Sequence, residues 1–168
     1  GYCDNKAQQL DLNTQQLTQI GQHDAPVKGV MSSSALHCLV TGSWDKTVRF
    51  WTPGNPQPAA QIQLPERCYS MDLRDEYLVV GCAERHVAIY DVRQCSQGNP
   101  NPLKSEQSPL KFQTRTVALF PEKDGYAIGS IEGKVGIQYF QESGQKKHFS
   151  FRCHRSEGQG TQDVYAVN

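Results

Sequence analysis

The stretch Cys38-Leu-Val-Thr-Gly-Ser-Trp-Asp-Lys-Thr-Val-Arg-Phe-Trp51 reads as two strands around a tight turn. A short apolar run ends on Gly42, an acid stands three residues on, and from Thr47 the residues alternate in character as far as Trp51. Alternation of β-branched and aromatic residues marks a half-buried strand. A glycine and an acid between two such runs favour a hairpin. The pattern recurs at Gly1-Tyr-Cys-Asp4, Gly42-Ser-Trp-Asp45, Gly81-Cys-Ala-Glu84 and Gly129-Ser-Ile-Glu132, with starts 41, 39 and 48 residues apart. A large residue follows the acid by six in three copies, namely Leu10, Trp51 and Tyr90. The fourth copy has Gln138 there, with Tyr139 beside it.

Each later copy carries two more strand-like runs. One precedes the apolar run: Val27-Lys-Gly-Val-Met31, Cys68-Tyr-Ser-Met-Asp72 and Thr116-Val-Ala-Leu-Phe120. The other follows the alternating strand: Ala60-Gln-Ile-Gln-Leu64, Leu110-Lys-Phe-Gln113 and Phe149-Ser-Phe-Arg-Cys153. Four short antiparallel strands every ~40–45 residues describe a blade of a WD-type (WD40) β-propeller, so the expected fold class is all-β. On this reading residues 1–23 end one blade, 24–65, 66–113 and 114–154 are blades, and 155–168 start the next with the strand Val164-Tyr-Ala-Val167. Propellers close with about 4–8 blades, so the chain reads as an incomplete piece of a longer one. The segment from Arg93 to Pro109, rich in Asn-Pro, reads as a surface loop.

The chain has 168 residues and balances 17 basic against 17 acidic side chains. A net charge of zero argues against histone-like nucleic-acid binding, though not against a local basic patch. No run approaches the ~20 apolar residues of a membrane span, so no membrane insertion is expected. The first residues show no signal-peptide core. Six cysteines occur without a C-x-x-C pair, which argues against a zinc ribbon, and no N-glycosylation acceptor is present. A reduced intracellular compartment follows, with a disulfide scaffold as the alternative. Nucleophile-elbow, phosphate-loop, zinc-protease and dinucleotide motifs are all missing, and the five histidines show no ligand spacing. A non-enzymatic protein without metal or cofactor is therefore expected.

His23, Thr41, Asp45 and Trp51 suit the hydrogen-bond network that a WD-type unit builds inside a blade. His23 and Asp45 would otherwise look catalytic, but acids recurring at Glu84 and Glu132 point to architecture. Strand order places the hairpin tips and the inter-blade linkers on one face. Trp44 stands at a tip with little to pack on in its own blade, as an interface anchor would; the competing reading folds it onto a neighbouring loop. Arg67, Arg85, Arg115 and Arg155 recur at the same level, with Lys46 and Glu66 beside them, and guanidinium groups hold carboxylates bidentately. The competing reading is solvated charge balanced by Glu66 and Glu84. A second surface is Ser143 to Ser156, with Lys146, Lys147, Arg152 and Arg155 and no acid. Its Phe149 and Phe151 alternate with the basic residues along one strand, an interleaving that can stack bases and track phosphates. The ordinary reading is an outermost strand with phenylalanines in the core and lysines in water.

The words His23-Asp-Ala-Pro-Val-Lys28, Thr41-Gly-Ser-Trp-Asp-Lys-Thr47, Leu64-Pro-Glu-Arg-Cys-Tyr69, Gly129-Ser-Ile-Glu-Gly-Lys-Val135, Phe151-Arg-Cys-His-Arg-Ser156 and Asp163-Val-Tyr-Ala-Val-Asn168 resemble the WD-repeat mRNA export factors of the nuclear pore. The resemblance covers essentially the whole chain. It implies a seven-bladed propeller without catalysis. It implies binding of a nucleoporin GLEBS segment on one face, and of single-stranded RNA or messenger ribonucleoprotein in a side groove at Lys134, Phe149, Phe151 and Arg152. Viral proteins that mimic nucleic acid would occupy the same groove. Nucleus, nuclear envelope and pore, cytoplasm, and mitotic spindle functions come with it. The mitotic-checkpoint relative, which binds a GLEBS segment of a kinetochore kinase, shares some of these words and is one alternative. A ubiquitin-ligase substrate receptor on the same fold is another. Three departures stand out: Leu10 replaces a tryptophan, Gln94 to Ser108 diverges, and Lys134 replaces the usual arginine, losing its planar fork.

Overall fold

The computed structural model describes residues 3–141, 143, 147–157 and 161–168. β1 (Lys6–Leu10) and β2 (Leu17–Gln22) form an antiparallel pair. Three four-stranded antiparallel meanders follow. The first blade is β3 (Val27–Ser33), β4 (Cys38–Ser43), β5 (Thr47–Trp51) and β6 (Ala60–Gln63). The second is β7 (Cys68–Arg74), β8 (Tyr77–Cys82), β9 (His86–Asp91) and β10 (Lys104–Gln107). The third is β11 (Thr114–Leu119), β12 (Gly125–Ser130), β13 (Lys134–Tyr139) and β14 (Phe149–Arg152). β15 (Arg155–Glu157) pairs with β16 (Gln162–Val164). This is the all-β blade architecture of a propeller.

Burial follows from position in the blade. The second strand is covered on both faces and is almost wholly buried, as in Tyr77-Leu-Val-Val-Gly-Cys82. Adjacent blades share their cores. Val40, Phe50, Ile62, Met71 and Tyr90 pack between the first and second blades, and Val79, Ile89, Val117, Tyr126 and Ile128 between the second and third. Each such side chain contributes roughly 1.5–3 kcal/mol by leaving water. The repeated glycine is a close-approach position: a Cβ on Gly42 would meet Met71 Sδ at 2.6 Å, one on Gly81 would meet Thr114 at 2.9 Å, and one on Gly129 would meet Val167 at 2.9 Å. The glycine thus lets the next blade's innermost segment lie against this one. Side chains also bridge the second and third blades, where Val117 N donates to Ser70 Oγ and Leu119 N to Asp72 Oδ2.

Three sequence expectations need correction. Leu110-Lys-Phe-Gln113 is not the fourth strand of the second blade; that strand is β10, Lys104–Gln107, paired with β9. Leu110 instead lies four residues ahead of β11, as Leu64 lies ahead of β7 and His23 ahead of β3, and it is buried in the same way. It is a plug under the linker, and its apolar character mimicked a strand. Second, the segment from Arg93 to Pro109 is not all loop. It holds most of the short helix α1 (Val92–Ser96), capped by the Asp91 side chain, and all of β10. Third, the last strand is Gln162–Val164, not Val164 to Val167. Residues 165–168 use their hydrogen bonds elsewhere: Tyr165 N donates to His154 O and Val167 N to Ser130 O.

Candidate functional site

The first blade builds its corner from four elements. His23 comes from the linker before β3, Thr41 from β4, Asp45 from the β4–β5 tip and Trp51 from the end of β5. Trp51 Nε1 donates to Thr41 Oγ1 at 2.7 Å, the Thr41 hydroxyl donates to His23 Nε2 at 2.7 Å, and His23 Nδ1 donates to Asp45 Oδ2 at 2.8 Å. Thr47 donates to Asp45 Oδ1 through both its hydroxyl and its amide, and Asp24 N donates to Oδ2. Arg49 closes the outside through Gln22 O and the Asp24 carboxylate. The Trp51 ring in turn lies on β2, where Gly21 leaves room for it. Burial pushes the His23 imidazole below its ordinary range, against the pull of Asp45, so the ring is neutral. Burial alone would raise Asp45. The hydrogen bonds from Thr47, the Asp24 amide and His23 outweigh it and hold the carboxyl below its usual value. Every polar atom of this relay is occupied by protein, and His23, Thr41 and Trp51 are buried. The geometry is that of a brace.

The acid does not play this part in the other blades. Register aligns Leu64, Val80, Glu84 and Tyr90 of the second blade, and Leu110, Ile128, Glu132 and Gln138 of the third, with His23, Thr41, Asp45 and Trp51. Glu84 is exposed, and Glu132 pairs with Lys134 at 3.4 Å.

Tips and linkers meet through backbone bonds: Trp44 N donates to Pro26 O, Ala83 N to Arg67 O and Ile131 N to Gln113 O. Trp44 does not stand free. Its ring meets Tyr69 edge to face at 6.4 Å, and the Arg67 guanidinium lies over it at 6.0 Å, yet 41% of the residue stays exposed. Lys46 pairs with Glu66 at 2.5 Å, and that bond holds the Glu66 carboxyl below its usual value. The four arginines divide. Arg85 donates to Ser108 O and Arg155 to Glu132 O and Gln162, bracing the linkers. Among the described residues Arg115 donates through its Nε alone, to Asn168 Oδ1. Among the described residues neither Arg67, Arg115 nor Lys28 has an ion-pair partner. Lys28, Trp44, Tyr69, Gln113, Thr114 and Arg115 line a small recess, and the buried Thr114 Oγ1 has no hydrogen-bond partner. Sequence reasoning missed Lys28 and Tyr69, and placed Thr114 on this face only as part of a linker. Their proximity to Trp44 comes from the inter-blade approach, and the only sequence signal was their place beside the linkers.

On the third blade, Phe149 and Phe151 are 54% and 46% exposed and stack on one face of β14 with centroids 6.3 Å apart. Phe151 pairs with Val135 as Ile62 pairs with Val48 and Glu106 with Val87. Ile62 and Glu106 both meet the following blade, Ile62 in the shared core and Glu106 by accepting from the Tyr126 hydroxyl. The two rings therefore lie along a seam. Arg152 stands opposite Lys134 in the ladder and is exposed, as is Lys147. Gly1, Tyr2 and Lys146 lie outside the described residues.

The WD domain, G-beta repeat family matches residues 14–52, the stretch that holds the relay. Protein Rae1 of Drosophila melanogaster is 43% identical over 99% of this chain and 49% of its own length. The mRNA export factor GLE2 of Chaetomium thermophilum is 40% identical over 99% of the chain and 46% of its own length. The mitotic checkpoint protein BUB3.1 of Arabidopsis thaliana is 41% identical over 99% and 50%. The chain spans about half the length of the curated relatives it matches. With identity running across all its blades, the chain is similar along its whole length to WD-repeat mRNA export factors and has the fold of a β-propeller segment.

Proposed function

We propose that the chain is part of a non-catalytic adaptor that carries a nucleoporin GLEBS segment on its linker-and-tip face and RNA or messenger ribonucleoprotein at its side, working in mRNA export at the nuclear pore. The observation that carries this reading is the recess between Trp44 and Arg115. Lys28 and Arg115 line it without an acid among the lining residues, beside two aromatic rings and a Thr114 hydroxyl unpartnered among the described residues, and Arg67 lies over the Trp44 ring. Cations left without counter-charges on an otherwise neutral chain suit a partner that supplies carboxylates. Export, the pore and the nucleus enter through the names of the relatives, and a mitotic role enters through BUB3.1. The test is titration of a GLEBS peptide against the wild type, Arg67→Glu and Arg115→Glu. Each substitution weakens binding at least tenfold with the circular dichroism spectrum intact. Unchanged affinity in both removes the face from the function. Capture of a kinetochore-kinase GLEBS segment in preference to the nucleoporin one moves the chain to the checkpoint role, and capture of a ubiquitin-ligase adaptor moves it to substrate reception.

The side surface is favoured by a separate observation, the stacked Phe149 and Phe151 on one face of β14, with the cross-strand partners Arg152 and Lys134 at the end of the same strand pair. Exposed rings next to cations give bases a platform and phosphates a counter-charge, and viral mimics of nucleic acid would use the same seam. Phe151→Ala and Arg152→Glu each lower single-stranded RNA affinity several-fold, and Arg152→Glu also flattens the salt dependence. Retained affinity with retained salt slope rejects the groove.

A further inference from the structure

The second blade differs from its neighbours at one more register position. Cys68 and Cys82 are direct cross-strand partners on β7 and β8, where the other blades place Val27 opposite Ser43 and Thr114 opposite Ser130. Ala83 N donates to Arg67 O, one step outside the pair. That bond makes Cys68–Cys82 a non-hydrogen-bonded pair, the kind with Cα atoms about 4.5 Å apart and side chains closest. A disulfide accepts Cα separations of about 4.4–6.8 Å, a range that includes this type of pair. Both thiols are reduced and fully buried. Burial pushes the Cys82 thiol up to about 12 and Cys68 in the same direction, which keeps them unreactive while the blade is closed. β7 is the edge strand of its sheet, so the pair is reached when that edge opens.

We infer that Cys68 and Cys82 form a latent dithiol that closes to a cross-strand disulfide and fastens the Arg67–Tyr69 linker to the Ala83–Arg85 tip. With oxidised glutathione as the oxidant, one cysteine thiolate attacks a glutathione sulfur, the glutathione disulfide breaks and one glutathione thiolate leaves. The second cysteine thiolate then attacks the protein sulfur of the mixed disulfide and releases the second glutathione. Two protons pass to solvent or to the leaving thiolates, the protein loses two electrons, and glutathione gains them. The consequence for the partner face rests on the reading given under Proposed function: Arg67 and Tyr69, on either side of Cys68, are the residues that pack on Trp44, and holding them in place preorganises the recess.

The test oxidises the folded chain with glutathione disulfide, in buffer and in sub-denaturing urea, then alkylates and digests with trypsin. Cleavage at Arg67, Arg74 and Arg85 puts the two cysteines on separate peptides, 68–74 and 75–85. The expected product is those two peptides joined, formed faster in urea, with Cys38 and Cys95 alkylated. In Cys82→Ala the joined species disappears and Cys68 is alkylated. GLEBS-peptide affinity rises several-fold on oxidation, returns with dithiothreitol and does not move in Cys82→Ala. Free Cys68 and Cys82 after oxidation in urea, or pairing of either with Cys38 or Cys95, overturns the dithiol. A joined peptide with unchanged affinity overturns the coupling, and loss of peptide binding in the reduced chain counts against the face itself.

Discussion

The first and second blades share strand order, register and the close glycine, yet they fasten the same corner by different physics. In the first, His23, Thr41, Asp45 and Trp51 form a closed relay, and the side chain of Asp45 is only 6% exposed. In the second, Leu64, Val80 and Tyr90 fill the equivalent space by packing, and Glu84 turns out to solvent. Its tip is held by main-chain contacts and by Arg85 on Ser108 O. The wedge shape therefore does not require the relay. The relay fixes a tip through side chains, whereas packing fixes only the strand beneath it.

Breaking the relay one member at a time gives the largest effect. Thr41→Val leaves the Trp51 indole N–H and the His23 Nε2 buried without partners, at a cost of about 2–4 kcal/mol. Converting the whole corner to the pattern of the second blade, with His23→Leu, Thr41→Val and Trp51→Tyr together, removes the unpaired groups at the same time. The triple variant is expected to recover more than half of that loss. Urea denaturation measures both. A triple variant less stable than Thr41→Val alone would mean that the two corners are not interchangeable.

A smaller effect separates the blades by pH. His23 is held neutral in the fold, below its ordinary value, so the unfolded chain takes up its proton first. Stability from this group is complete above the unfolded value, about 6.5, and is lost as pH falls from there toward the lower folded value. Asp45 is depressed as well, and its contribution stays until pH falls below the ordinary carboxylate range. Leu64, Val80 and Tyr90, which take the places of His23, Thr41 and Trp51 in the second blade, do not titrate in the upper window, and His86, at the position of Thr47, is common to the wild type and the triple variant. Between pH 7 and 5 the denaturation midpoint falls in the wild type, and the slope is reduced in the triple variant. An identical slope in both would show that the His23 ring is not the sensor.

The same contrast shows what the sequence makes legible. β4 and β5 could be read because burial on both faces of one and alternation in the other are written in Cys38 to Trp51. β10 could not: Lys104-Ser-Glu-Gln107 is an outer strand with little to bury, so it carries no apolar period. Leu110 and Phe112 imitated one instead, although Leu110 plugs a linker and Phe112 is exposed. The relay residues were readable because their chemistry is complementary within one repeat. The recess of Lys28, Tyr69 and Thr114 was not, because it is assembled between blades, and neither spacing nor alternation records which linker a tip will touch. Phe149 and Phe151 have the alternation of a core strand, and Phe151 stands at the register position where Ile62 is buried against the next blade.

The smallest expected effect lies at the tips themselves. Lys46, Arg85 and Gly133 occupy the same turn position with φ of 66°, 65° and 62°. Only the third blade uses the residue that adopts this conformation without strain. The first blade sets against that strain the Lys46–Glu66 pair, whose lysine is 43% exposed and which is therefore weak in water. Lys46→Ala loses the pair and keeps the strain. Lys46→Gly loses the pair and relieves it, so it should be more stable than the alanine variant by about 1 kcal/mol and close to wild type. Their order in denaturation isolates backbone from charge: an alanine variant that matches or exceeds the glycine one would mean that Asp45, tied on all sides, sets the left-handed turn without measurable strain.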